Sequence, residues 1–266
     1  MENRRLLEPI DIHLPGLASE IDGLRIGHVS DLHADVPRRH HRAVIEALRS
    51  ADMDLVVLTG DYMTRRGREA NPSELVREIC RHVAPPHGIY GVYGNHDSAL
   101  LSEELKPLPI QWLTNRTAAP TSLPLEILGL DSLNFGRCDA PALLPDRAAA
   151  SGATLPRRTT ILLCHFPNYL PIASDMGVDL MLCGHTHGGQ CRLPGGRALI
   201  NSTDLPLRLT SGLLRHRDTL CVVSRGLGEV HMPMRIFCPR QIPIVTLRRG
   251  PLPGAATNGI VNLRRW

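Results

Sequence analysis

The sequence predicts an α/β fold in a single domain, and three observations point there. Short apolar runs alternate with helical or Pro/Gly-rich segments from one end of the 266 residues to the other. No shift in composition marks a domain boundary, and no internal repeat is visible. The hydrophobic content, 42%, is that of a globular chain and well above the disordered range. The expected organisation is one domain over residues 1–266, with its core over about 20–250 and a flexible C-terminal tail over about 251–266.

The elements follow in order. Apolar runs bounded by turn residues predict strands over 24–30 (LRIGHVS), 54–60 (DLVVLTG), 89–94 (IYGVYG), 125–130 (LEILGL), 160–164 (TILLC) and 180–183 (LMLC). Residues 197–201, 219–224 and 242–247 are further strand candidates. Helices are predicted over 40–50, where Val44, Ile45 and Leu48 share a face, and over 72–82, with Asn71 and Ser73 as candidate caps. The Ala- and Pro-rich stretch 139–158 reads as a short helix and a surface loop.

Composition narrows the function. Aromatics make up only 3%, so a single-strand nucleic-acid reader, which stacks bases on exposed rings, is not expected. The net charge of +4, its basic residues almost all Arg, fits an anionic substrate, loose attachment to an acidic membrane surface or, equally, an ordinary solvated surface. It is not the dense basic patch of a dedicated DNA binder, so no nucleic-acid partner is expected. Seven cysteines without a C-x-x-C pair, several inside apolar runs, read as buried free thiols in a reducing compartment. The N-terminus has basic residues but no apolar stretch behind them, so export is not expected, and no run is long enough to span a bilayer. The expected location is cytoplasmic, with peripheral contact at the inner face of the cell membrane left open.

The chemistry lies where the strands end. Ligands of open α/β sheets bind beyond the C-terminal ends of the strands. Here those ends run into Asp31-Leu32-His33, Asp61, Asn95-His96-Asp97, His165 and His185-Thr186-His187. In Asp31-x-His33 and His185-x-His187 the paired residues are two apart, which on extended backbone turns both to one side. A mixed oxygen and imidazole set suits Mn²⁺, Fe²⁺ or Zn²⁺ better than Ca²⁺ or Mg²⁺. Seven candidate ligands exceed what one tetrahedral ion needs, and two ions sharing a carboxylate use them well. Gly60, Gly94 and Gly184 permit tight turns beside these residues.

Taken in order, Asp31-x-His33, Gly60-Asp61, Gly94-Asn95-His96-Asp97, His165 and Gly184-His185-Thr186-His187 resemble the five blocks of the calcineurin-like metallophosphoesterases. The resemblance implies a four-layer α/β/β/α sandwich with a dimetal site at one end of its central sheets. It implies one ion on Asp31, His33, Asp61 and His187, a second on Asp61, Asn95, His165 and His185, and Asp61 as the bridge. A hydroxide between the ions then attacks phosphorus in line. His96 serves beside the leaving group, and Asp97 orients its imidazole.

A closer resemblance is to a bacterial, often membrane-anchored phosphodiesterase subgroup that includes a UDP-2,3-diacylglucosamine hydrolase. It rests on GHTHGGQ (184–190), LPGLASEIDGLRIGHVSDLH (14–33), SRGLG (224–228) and PMRIFCP (233–239). The membrane segment frequent in that subgroup has no counterpart here, and Arg240 stands where an acidic residue is expected.

Other polar residues have plainer readings. His28 reads as a packed core residue, and His40, His41, His82 and His216 as surface positions; His231 fits a pocket wall or a loop equally. Arg38, Arg39, Arg65 and Arg66 follow the first two blocks, and Arg38 and Arg65 are the candidate substrate-binding residues, because the planar guanidinium matches phosphate. Asp35 and Asp204 read as turn or capping residues.

The function expected is a phosphodiesterase or pyrophosphatase acting on a small-molecule or lipid-linked phosphodiester, such as a UDP-sugar lipid or another envelope molecule. A protein or nucleotide phosphatase is the alternative on the same site, with a nuclease or an inactive scaffold behind it.

Overall fold

The computed structural model describes residues 6–132, 158–255 and 257–266. Two sheets carry the fold. The first contains β1 (Leu7–Leu14), β2 (Arg25–Val29), β3 (Leu55–Thr59), β4 (Ile89–Val92), β5 (Ile110–Trp112) and β12 (Ile242–Arg249), in the order β1-β12-β2-β3-β4-β5. The second contains β6 (Arg116–Ala118), β7 (Leu125–Leu130), β8 (Thr159–Cys164), β9 (Leu180–Cys183), β10 (Gly212–His216), β11 (Thr219–Val223) and β13 (Val261–Arg264), in the order β13-β10-β11-β9-β8-β7-β6. Strands β2, β3 and β4 run parallel to one another, as do β8 and β9, so within each set the C-terminal ends open on one edge.

The side chains sort into three layers of core. Ile26, Val57 and Val92 of the first sheet meet Ile127, Leu163 and Leu182 of the second. The other face of the first sheet packs on three helices: α1 (Arg39–Ser50) through Val44 and Leu48, α2 (Ala70–His82) through Val76 and Ile79, and α3 (Ala99–Leu105) through Leu101 and Leu105. Each helix presents apolar residues three to four apart, so one stripe faces the sheet. The outer face of the second sheet packs on α4 (Leu170–Asp175) through Leu170 and Ala173. Helix, sheet, sheet and helix make the four-layer sandwich. Strands such as β3 and β8 are buried on both faces, which explains their uninterrupted apolar runs. Truncating Leu163 to Ala between the sheets costs about 2–5 kcal/mol.

Several expectations change. The tail joins the fold: β13 pairs with β10, and Asn262 Nδ2 donates to the carbonyls of Arg208 and Ser211, both at 2.9 Å. At the other end β1, before residue 20, pairs along its whole length with β12. Its alternating Ile10, Ile12 and Leu14 point to the core, a period-2 signal that Pro9 and the flanking charges obscured. Residues 197–201 form no strand and make only an isolated bridge between Arg192 and Ala198. Neither Asn71 nor Ser73 caps α2, which starts two residues earlier, at Ala70; Asn71 Nδ2 instead donates to the Asp35 carbonyl at 2.7 Å. His41 and His216 are buried rather than at the surface, while His28 is fully buried as expected. Six cysteines are free thiols, five of them buried. Apart from Arg158, the 139–158 stretch lies outside the described residues, as does Cys138.

Candidate metal centre

The site is built on the loops that leave β2, β3, β4, β8 and β9. The first three loops are laced by backbone hydrogen bonds: Asp31 N–H donates to the Gly60 carbonyl at 3.0 Å and His33 N–H to the Asp61 carbonyl at 3.1 Å. The chain turns sharply at each ligand-type residue. Asp31, His33, Asp61, His185 and His187 all have φ between 43° and 70°, a left-handed conformation that costs a non-glycine residue free energy. Such strain persists only where surrounding structure enforces it, and here it aims side chains inward. Gly60 and Gly94 pack backbone against backbone, and a Cβ on Gly94 would collide with the Asp61 carboxylate.

Two clusters result. Ligand atoms of Asp31, His33 and His187 lie within 4.8 Å of one another, as do those of Asp61, His165 and His185. In the first, His33 Nε2 is 3.0 Å from His187 Nε2, which is 3.5 Å from Asp31 Oδ1. In the second, His165 Nε2 is 3.1 Å from Asp61 Oδ2 and 3.2 Å from His185 Nδ1. The same Asp61 Oδ2 lies 3.6 Å from His33 Nε2, so one carboxylate oxygen reaches both clusters. The Asn95 Oδ1 beside them is buried without a hydrogen-bond partner.

The imidazoles are held from behind. His165 Nδ1 donates to the Thr59 carbonyl at 2.7 Å, which leaves Nε2 for Asp61. His185 Nε2 meets the Ser202 carbonyl at 3.2 Å, leaving Nδ1 for the cluster. His33 Nδ1 sits 2.9 Å from Thr64 Oγ1. Arg235 clamps the His187 turn, its guanidinium reaching His187 Nδ1 at 3.4 Å and the Gly228 carbonyl.

Burial dominates the electrostatics. It pushes the His33 imidazole down to about 3 and His185 to about 4, and holds His187 well below the usual range, so all three stay neutral. Burial also raises Asp31 to about 6. Against the same burial, His165 is raised to about 10 by Asp61 and Asp31, and the His165 charge keeps Asp61 ionised. Two imidazole Nε2 atoms 3.0 Å apart, two buried carboxylates and an orphaned amide oxygen form a set of ligand types that fits divalent cations.

The expected partnership of His96 and Asp97 is not what the structure forms. Asp97 accepts the backbone N–H groups of Gly94 at 2.7 Å, Tyr62 at 2.8 Å, Asp61 at 2.9 Å and Met63 at 3.4 Å. His96 is oriented by Thr64, whose carbonyl accepts from Nδ1 at 3.1 Å, while its own N–H donates to Asp61 Oδ1 at 2.9 Å. Four backbone amides outcompete one imidazole for the carboxylate, because each is a buried donor with no other partner.

Arg38 and Arg65 line a cavity of about 270 Å³ that reaches His33, together with Arg68, Glu229 and His231. Arg38 is 3.8 Å from Glu229, which also pairs with Arg240, so that unexpected arginine is neutralised. Asp35 accepts from the N–H groups of Thr64 at 2.7 Å and Arg65 at 3.0 Å, fixing the loop that carries both. A second opening, of about 420 Å³, reaches His185 and includes Tyr169, Ile172 and Asp204. Sequence reasoning passed over Thr59, Thr64, Arg68 and Arg235. Arg235 lay inside the quoted PMRIFCP string, but nothing local tied it to His187.

Adjacent buried clusters of carboxylate and imidazole at the strand-end edge of a two-sheet sandwich define a metal-dependent phosphoester hydrolase. The chain belongs to the family described as calcineurin-like phosphoesterase, whose model matches residues 24–189. It is 30% identical over 206 residues to the phosphodiesterase YaeI of Escherichia coli, covering 73% of this chain and 70% of YaeI. It is 26% identical over 223 residues to the uncharacterized metallophosphoesterase YkoQ of Bacillus subtilis, covering 80% and 79%. With the UDP-2,3-diacylglucosamine pyrophosphatase LpxG of Chlamydia muridarum it shares 25% identity over 302 residues, covering 90% and 88%.

Proposed function

We propose that the chain is a dimetal phosphodiesterase or pyrophosphatase acting on a lipid-linked phosphodiester, of which a UDP-sugar lipid is the leading candidate. The observation that carries the dimetal reading is Asp61 Oδ2, which faces His165 at 3.1 Å and His33 at 3.6 Å and so can bridge. Asp31, His33 and His187 complete one site, and Asn95, His165 and His185 the other. Mn²⁺, Fe²⁺ and Zn²⁺ suit these donors. Bound there, two cations lower the pKa of water and neutralise charge on phosphate oxygens.

The chain's own residues do the rest. His96, with Nδ1 committed to the Thr64 carbonyl, turns Nε2 toward the leaving-group oxygen. Arg65 and Arg68, on the wall of the 270 Å³ cavity, grip the phosphate flank, with Arg38 shared between substrate and Glu229.

The lipid part of the proposal rests on exposed apolar side chains around the centre. Ile200 is 61% exposed and Phe237 62%, with Met232, Met234 and Ile236 beside them on loops that pair through Arg192 N–H and the Ile236 carbonyl. Among the described residues no helix is long and apolar enough to cross a membrane, so this rim supports peripheral contact with a bilayer surface. The name of LpxG, a UDP-2,3-diacylglucosamine pyrophosphatase, supports the same class of substrate, and that of YaeI supports phosphodiester cleavage alone.

Turnover of bis-p-nitrophenyl phosphate, p-nitrophenyl phosphate and UDP-2,3-diacylglucosamine with Mn²⁺ is the test. Release of UMP and a faster diester than monoester rate are expected. A faster monoester rate would move the assignment to a phosphomonoesterase, and no turnover with metal bound would end it.

A further inference from the structure

The last strand builds something the centre does not use. A second cavity, of about 250 Å³, is lined by Arg192, Arg197, Arg208, Arg265, Thr210 and Ser211. It shares no lining residue with the openings that reach His33 and His185. No side-chain carboxylate lines it, and among the described residues no ion pair is formed by these four arginines. Arg197, Arg208 and Arg265 are exposed, but Arg192 is only 5% exposed.

Arg192 donates to the Gly188 carbonyl at 2.7 Å, to Ser211 Oγ at 2.5 Å and to the main-chain oxygen of Trp266, which hold it in the cavity wall. With no side-chain carboxylate in the lining, four guanidinium groups around one cavity repel one another. Burial pulls the Arg192 pKa down. An oxyanion in the cavity relieves that repulsion. Planar guanidinium forks are the groups that recognise phosphate.

We propose that this cavity is a second anion site, separate from the metal centre, that holds a phosphate group between Arg192, Arg197, Arg208 and Arg265. The group belongs either to a soluble phosphate or to an anionic lipid headgroup. Exposed Leu193, Leu199 and Leu207 flank the lining arginines in sequence and suit the second source.

The test titrates inorganic phosphate into the full chain by calorimetry, with Mn²⁺ bound and after chelation. The expected result is a phosphate site that survives chelation and weakens at least tenfold in Arg197→Ala/Arg208→Ala. That variant still cleaves bis-p-nitrophenyl phosphate when Mn²⁺ is restored, and Arg38→Ala/Arg65→Ala retains the chelation-resistant site. No binding after chelation, binding unchanged in Arg197→Ala/Arg208→Ala, or binding lost in Arg38→Ala/Arg65→Ala would each overturn the proposal. Sedimentation with phosphatidic acid vesicles but not with phosphatidylcholine, lost in Arg197→Ala/Arg208→Ala, assigns the phosphate to a lipid. Calorimetric binding without sedimentation assigns it to a soluble ligand.

Discussion

The Asp97 carboxylate accepts the backbone N–H of Asp61 at 2.9 Å, tying the loop after β4 to the residue that stands between the two metal-ligand clusters. Its other acceptances, from Tyr62, Met63 and Gly94, hold the same turn. Asp97→Ala strands four buried amide donors, each worth about 1–3 kcal/mol. Stability should fall by about 3 kcal/mol or more, a Tm loss of about 6–12 °C at this size. Thermal unfolding measures it. A Tm unchanged, with only turnover reduced, would return Asp97 to the role of orienting His96.

Asp61→Ala should remove the shared ligand and with it one or both ions. Metal content by mass spectrometry is expected to drop from two per chain to one or none, with turnover down about a thousandfold or more, as befits lost metal-centred charge stabilisation. In the parent, chelation should lower stability by about 2.7 kcal/mol when metal had been present at a hundredfold its Kd. A variant that keeps two ions would show that Asp61 is not the bridge.

His28 makes the fold acid-sensitive. It is fully buried against Thr59 Oγ1 at 2.8 Å, and burial alone pulls its pKa down to about 3. The unfolded chain takes up a proton near pH 6.5 and the folded one does not, so stability is intact above about 6.5 and declines as pH falls toward 3. The slope is about 1.4 kcal/mol per pH unit. For metal-free protein, His28→Gln should shrink the stability difference between pH 7.5 and pH 5 by about 2 kcal/mol on that slope. Urea unfolding at the two pH values decides it; an unchanged difference would exclude His28 as the source.

Arg65 and Arg68 line the cavity beside His33 without an ion-pair partner among the described residues. Arg65→Ala and Arg68→Ala should each raise KM for a diester by about tenfold, the order of one charged hydrogen bond, with stability within about 0.5 kcal/mol. An equal loss in kcat with KM unchanged would mean contact with the transition state alone.

Phe237→Ser and Ile200→Ser test the apolar rim. Both side chains are more than 60% exposed, so the fold should tolerate their loss. Turnover of a lipid-linked substrate in vesicles should drop severalfold while bis-p-nitrophenyl phosphate turnover holds. Equal rates on both would leave the rim without a role in substrate access.

Much of this protein was legible in one dimension because its strands are short and its chemistry sits where they stop. Runs such as LEILGL and LMLC mark β7 and β9 to the residue, since strands buried on both faces carry little that is polar until they emerge, and Glu126, the exception in β7, is only partly buried. The residues at which they emerge, from Asp31 to His187, therefore stood out as ligand types. Period and composition, which are local, determined the α/β class, the α1 and α2 helices and the seven ligand candidates. Long-range pairing decided what those signals could not carry. It set β13 beside β10, turned Asp97 from His96 to the amides of another loop, and brought Arg235 to His187 and Arg192 to Ser211. Each of those contacts joins positions whose partners are chosen by geometry and by the need to satisfy buried donors, and that competition exists only once the chain has folded.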